Sequence, residues 1–304
     1  MRIGINGTGL VQRASIDAVA EHAAQAAADG FTSYWLAEHP TGGFDALTVL
    51  TAVGLRVPGI ELGTAIVPSM PRHPIVLAGQ AQTTNAAIGG RLTLGIGLSH
   101  APMMAQLGIG FDKPIRHLRE FLSVLMPLLD DGTVNFNGET ISCDAQFFKR
   151  GEPRCGVVVA ALGPQALGVA GARTDGTALA WVGPRTIRDH IAPTIGEAAQ
   201  RAGRKSPRIV ATLPVCVTND EAKVRAAIDK NLAMYGKLPS YRAMFDREGV
   251  EGPSGVALVG GEDVVLSKIE ALRGAGVTDF TPSEFGLSAE ERMRTRALLK
   301  SLAA

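Results

Sequence analysis

Along the chain, short apolar runs alternate with longer stretches in which apolar residues return every three or four positions. The first run is Ile3 to Ile5. After Ser15 a stripe follows at positions 16, 19, 20, 23, 24 and 27, the spacing of a helix that lays one face on a sheet. Ser15 suits the N-cap and Gly30 the stop. The same alternation predicts a strand over 33–36, a helix over 45–54 and a strand over 60–67. Next come a helix opened by Pro74 and closed by Gly89-Gly90, and a strand over 92–96. Pro114 opens a helix with apolar positions 115, 118, 122, 125, 126 and 129. Asn137-Gly138, between alternating residues, predicts a hairpin over 133–141 outside the main repeat. The C-terminal half continues with strands over 157–161, 177–181, 209–217 and 279–282. Helices are expected over 164–172, 184–202, 221–234, 263–273 and 288–302, and 235–261 is the least regular stretch, suited to a lid or small helices.

Strands beginning near 3, 33, 61, 92, 157, 177, 209 and 279 make eight. Strict alternation with helices implies a parallel sheet. Eight such units point to an α/β fold, a closed (β/α)8 TIM barrel, with an open doubly wound sheet as the alternative. Residues 1–304 then form one domain with a hairpin insertion and an irregular segment before the last strand. The length of 304 residues fits, since such barrels run to ~250 residues before insertions.

Composition narrows the function. Hydrophobic residues make up 46% and charged residues 19%, which excludes a disordered polymer. Thirty basic against 29 acidic residues leave +1, no field to hold nucleic acid or an anionic membrane. The opening Met1-Arg2-Ile3-Gly4-Ile5 is not a signal peptide, and no apolar run reaches the ~20 residues of a membrane span. Cys143, Cys155 and Cys216 have no metal-ligand spacing and read as reduced thiols. A cytoplasmic protein without a metal is expected.

In a barrel of this kind chemistry sits at the C-terminal ends of the strands. Those places hold Glu38-His39, Arg72-His73, Gly95 through His100, and Gly163-Pro164. Two adjacent titratable groups after a buried strand point to acid–base work. Gly95 and Gly97 fit either close packing or a backbone that approaches a ligand. Gly163 fits a plain turn or a phosphate seat at a helix start. His73 reads as a surface loop residue, and His22, His117 and His190 as helix-surface or packing residues. The His-x-His pair of many metal-dependent barrel hydrolases is missing where the chain reads Asn6-Gly7-Thr8-Gly9. His-Glu-x-x-His and Gly-x-Ser-x-Gly are absent as well, so neither hydrolase class gains support.

Four motifs in order carry a resemblance. They are Gly30-Phe31-x-x-x-Trp35-x-x-Glu38-His39, Leu62-Gly63-Thr64-Ala65-Ile66, Gly89-Gly90-Arg91-x-x-Leu94-Gly95-Ile96-Gly97 and Ala160-Ala161-Leu162-Gly163-Pro164. Together they make the chain similar to the bacterial-luciferase-like superfamily, and to its branch that uses the deazaflavin coenzyme F420. The resemblance implies an oxidoreductase that moves a hydride between F420 and a small organic substrate, with a homodimer as the expected assembly. It implies that Glu38 contacts the deazaflavin and that His39 serves in catalysis. It implies a non-prolyl cis peptide at Ala65-Ile66 that backs the ring. Gly97, Leu98 and Ser99 after strand four, and Leu162, Gly163, Gln165 and Ala166 after strand five, would hold the ribityl chain and phosphate. Trp181 fits the same pocket or a plain core position.

This chain departs from the superfamily's sugar-phosphate dehydrogenases at one position. Where they carry a catalytic glutamate after the strand-four turn, it has His100, and no lysine pair for a substrate phosphate stands out. A sugar phosphate is therefore not the expected substrate, and His100 becomes the second candidate for proton transfer. A flavin-mononucleotide monooxygenase of the same superfamily is the alternative activity. A cofactor-binding protein without turnover is the alternative from another class.

Overall fold

The computed structural model describes residues 1–11, 15–39, 42–148 and 153–303. Strand one is split into Arg2–Ile3 and Ile5–Asn6. Strands two to eight are Ser33–Leu36, Glu61–Thr64, Leu92–Gly97, Gly156–Val159, Gly176–Ala180, Arg208–Thr212 and Asp279–Phe280. Every neighbouring pair is parallel. The two halves of strand one close the circle: Arg2–Ile3 pair with Asp279–Phe280, and Ile5–Asn6 pair with Tyr34–Trp35. All eight expected strands are present and the sheet is a closed barrel, not an open one. Gly4, at the split, lies so close to Ser33 that a Cβ there would come within 2.3 Å of its hydroxyl.

Strand interiors are apolar on both faces because each strand is covered inside and out. Outside, Leu36, Leu62, Leu94, Val157 and Val159 pack under helices such as Ile16–Ala28, Ala46–Arg56, Pro74–Ala87 and Pro114–Asp130. Inside, Trp35, Val158, Ala178 and Val210 fill the lumen. Gly63 makes room for that tryptophan, since a Cβ at residue 63 would lie 2.3 Å from the indole. Ser15 and Asp45 cap their helices through side-chain oxygens, as capping chemistry predicts.

The hairpin is real: Thr133–Asn137 and Ser142–Gln146 pair antiparallel. Its tip rests on Glu120, whose carboxylate accepts from the backbone of Glu139, Thr140 and Ile141 and from the Thr140 hydroxyl. One feature escaped the pattern. Strands seven and eight run on as Pro214–Val217 and Ser283–Glu284, and with Leu258–Gly260 they build a second small parallel sheet above the barrel. The segment 235–261, expected to be the least regular and suited to a lid or small helices, does contain the small helices Pro239–Glu248 and Pro253–Val256, and adds that strand. The longer helix buries only Met244 and Phe245, too narrow a stripe to register as a period.

Among the described residues no helix is long and apolar enough to cross a membrane. Among the same residues no group of histidine, cysteine, aspartate or glutamate is placed to hold a metal ion.

Candidate active site at the barrel mouth

Because all eight strands run parallel, Glu38, Ala65, Gly97 and Gly163 open onto one rim. Strand two delivers Glu38 and His39 there. The Glu38 backbone N–H donates to the Ile66 carbonyl at 2.9 Å, tying strand two to the turn after strand three. The peptide between Ala65 and Ile66 is cis, as the family resemblance implies.

Glu38 reaches the mouth already engaged. Arg72 Nη1 donates to its Oε1 at 2.5 Å and Nη2 to its Oε2 at 3.2 Å, and the Ala46 N–H adds a bond at 3.2 Å. Arg72 also holds Asp45 at 2.6 Å, so one guanidinium links strand two, the turn after strand three and a helix start. With its side chain 9% exposed, Glu38 reads first as the residue that fixes this strand end. His39 is different. Its side chain makes no hydrogen bond to a described residue, and burial pushes its pKa down although the Glu38 charge pulls the other way.

Strand four ends in Gly97 and turns through Leu98, Ser99 and His100. Packing by itself requires glycine at both positions. A Cβ at Gly95 would sit 1.9 Å from the Thr64 carbonyl oxygen, and one at Gly97 would press on Ile66 at 2.9 Å. Gly97 is thus the residue that lets strand four pass beneath the cis turn. Ser99 follows with φ of 64°, a backbone few non-glycine residues adopt. His100 lies close enough to His39 that a charge there, after burial itself, pushes its pKa down. The two histidines from strands two and four therefore face one region.

After strand five, Gly163 caps the helix Pro164–Arg173 without a side-chain bond, and a Cβ added to it would meet nothing within 4 Å. Its first turn, with Gln165 and Ala166, leaves backbone N–H groups open, the condition for holding an anion. His190, expected to be a packing residue, is buried but not idle: its Nε2 lies 2.8 Å from the Leu162 carbonyl and holds that turn in place. It sits in a π-helical turn, Ile187–Ile191, that the sequence pattern did not reveal. The readings of the other histidines hold. His73 is an exposed N-cap, His22 bridges Tyr34 and Glu284, and His117 packs on Phe121.

Three groups were missed. Ser69, at the end of the strand-three turn, donates its N–H to the Gly97 carbonyl, while its buried hydroxyl finds no partner among the described residues. Tyr235 and Tyr241, from the segment before strand eight, reach His100, with ring centroids at 6.3 and 5.6 Å. Trp181 joins them: it leaves strand six with φ of 60° and stands 5.4 Å from Tyr235. It is partly buried, packing on the edge of the core while facing Tyr235. Trp181 was legible because it follows a strand end, whereas Tyr235 and Tyr241 lie in the middle of the segment before strand eight and gave no signal. A surface groove lined by Gly168, Ala172, Thr194 and Ala198 lies outside the barrel and gathers no such groups.

The family model for luciferase-like monooxygenase matches residues 3–279. The chain is 25% identical over 273 residues to the 5,10-methylenetetrahydromethanopterin reductase of Methanolobus tindarius, covering 88% of this chain and 82% of the relative. It is 27% identical over 249 residues to the F420-dependent glucose-6-phosphate dehydrogenase of Nakamurella multipartita, covering 77% and 72%. Among solved structures, the coenzyme F420 dependent tetrahydromethanopterin reductase from Methanopyrus kandleri superposes with a TM-score of 0.81 at 22% identity, covering 98% of this chain and 97% of that one. This last likeness is one of fold.

Proposed function

The chain belongs to the luciferase-like monooxygenase family, and within it we propose an oxidoreductase that moves a hydride between coenzyme F420 and a small organic substrate. The observation that carries this reading is the alignment with an F420-dependent relative over 77% of the chain. Three features of the mouth fit the coenzyme. Ser69 offers an unpartnered buried hydroxyl, the helix after Gly163 offers uncapped N–H groups, and two imidazoles stand without hydrogen bonds to described side chains. Bound there, the deazaflavin ring supplies a carbon that gives or takes a hydride.

Ala65 and Ile66 would back that ring, with Leu98 and Ser99 beside it. Leu162, Gly163, Gln165 and Ala166 would hold the phosphate-bearing tail, and His190 would keep the Leu162 carbonyl in register. Gly97 serves by packing, and Glu38, clamped by Arg72, serves by positioning His39. Burial leaves His39 and His100 neutral at pH 7. A neutral imidazole takes a proton from a substrate hydroxyl and, once protonated, returns one to a substrate oxygen.

The test is to titrate the purified protein with F420 and with FMN, following tryptophan fluorescence. F420 is expected to bind more tightly. Tighter FMN binding, with oxygen consumed on reduction, assigns the chain to the flavin monooxygenases instead. Binding of F420 without turnover on a broad substrate panel makes it a cofactor-binding protein.

A further inference from the structure

Four rings form one connected cluster. His100 comes from the strand-four turn, Trp181 from the end of strand six, and Tyr235 and Tyr241 from the segment before strand eight. Tyr235 is the hub, 5.4 Å from Trp181, 5.2 Å from Tyr241 and 6.3 Å from His100. Tyr241 and His100 complete the set at 5.6 Å.

The charges nearby are as informative as the rings. Burial pushes both phenols up, and the only other groups that perturb them are Tyr235 on Tyr241 and Trp181 on Tyr235. His100 responds to burial and to His39 alone. Among the described residues no lysine, arginine, aspartate or glutamate side chain makes a hydrogen bond or ion pair to any of these three rings, whose contacts are with one another and with Trp181. The nearby cation at the mouth, Arg72, is consumed by Glu38 and Asp45. A charged substrate group brought against this surface would lose its water and gain no counter-ion among the described residues, a loss that burial makes large. A flat apolar ring would lose nothing and stack.

We propose that His100, Trp181, Tyr235 and Tyr241 form the substrate-facing wall of the site and select a planar, uncharged substrate over an anionic one. This rests on the proposed function for the reaction itself, but the selectivity belongs to the wall. It also accounts for the residue at 100: where a glutamate suits a polyhydroxylated sugar, an imidazole set edge-on to Tyr235 and tilted against Tyr241 suits a ring.

Calorimetry on the full chain tests it, with 2-acetylnaphthalene as the neutral flat probe, 2-naphthoate as its anionic counterpart and glucose 6-phosphate as the non-aromatic anion. The ketone is expected to bind about tenfold tighter than the carboxylate, and the sugar phosphate not to saturate. Tyr235 lies half-buried on a single helical turn, so Tyr235→Ala should fold, lose about fivefold in ketone affinity and be rescued by Tyr235→Phe. The ketone should quench a fluorescence component that Trp181→Phe removes. Equal or tighter binding of either anion overturns the proposal, as does absence of saturable ketone binding or an unchanged affinity in a folded Tyr235→Ala. The charge preference is read on the unaltered protein, so misfolding of a variant does not protect the idea. Failure of these probes while F420 binds sinks the wall alone. Failure of F420 to bind while the probe preference stands sinks the coenzyme reading alone.

Discussion

At the lower end of the barrel, Arg2, Glu61, Arg208 and Asp279 satisfy one another. At the upper end, His39 and His100 stand without hydrogen-bond partners among described side chains. The lower network starts strands one, three, seven and eight. Arg208 donates to Glu61 at 2.9 Å, to Thr93 at 3.1 Å and to Asp279 at 3.0 Å, while Arg2 bonds Glu61 at 2.8 Å and Asp279 at 2.7 Å. Burial would raise the Asp279 pKa, yet Arg208, Thr278 and Arg2 together hold it below the usual carboxylate range. Ionisation is thus locked below. At the mouth the same burial acts on imidazoles that have no hydrogen-bond acceptor among the described side chains, so no partner locks their protonation. Paired charges fix a structure, and unpaired titratable groups are left for chemistry.

Substitutions at the two ends should separate these roles. The largest effect is expected for His39→Ala. Turnover on an identified substrate should fall by ~10²–10⁴, while the midpoint of denaturant unfolding stays close to that of the unaltered protein. Near-normal turnover would remove His39 from proton transfer and make His100→Ala the next variant. Asp279→Ala should do the reverse. With its side chain 3% exposed, its loss takes one of two carboxylates from Arg2 and Arg208, which keep Glu61, at a cost of about 1–3 kcal/mol, read by urea unfolding, with F420 affinity unaltered in the folded fraction. A loss of F420 binding without a loss of stability would break the comparison.

Glu120 extends it to the hairpin. Burial opposes its charge, but the hydrogen bonds from Thr140 and from the backbone of Glu139 and Ile141 hold its pKa down at about 2. A depressed carboxyl contributes stability above its ordinary value, near 4.5, and loses it as pH falls from there toward 2. Glu120→Gln should therefore cost about 2 kcal/mol at pH 6 and little at pH 2.5, measured by unfolding at both. A constant difference would mean that the charge is not what binds the hairpin. Arg72→Met should cost about 1–2 kcal/mol and weaken F420 binding, because Glu38 is then buried without its cation. Unchanged F420 affinity would deny Arg72 its part in shaping the mouth.

The smallest effect is in the histidines themselves. Both have a folded pKa below the ordinary 6.5. The protein should lose a little stability as pH drops through that value, since protonation then favours the unfolded chain. Imidazole resonances followed by NMR should titrate below 6.5 for His39 and His100. A midpoint above that for either would show a partner that keeps it charged.

The alternation of runs and stripes determined the barrel. Eight apolar strands separated by amphipathic helices leave few ways to bury every face, and the parallel order places all C-terminal strand ends on one rim. The sequence likewise determined which residues arrive there, because a residue that follows a strand must lie at its end. It could not determine what those residues meet. Glu38 reads as a free acid until Arg72, 34 positions away, closes on it. Gly95 and Gly97 leave packing and ligand approach equally open in the sequence, and only the fold puts the Thr64 carbonyl and Ile66 in the space their side chains would need. The aromatic wall joins residues 100, 181, 235 and 241, and two of them lie in a segment without periodic signal. The lower ionic network joins residue 2 to residue 279 in the same way. Periodicity is a local property, carried by a few turns of chain. Pairing, crowding and exclusion of water depend on distances between segments far apart in sequence, and only the closed barrel sets those.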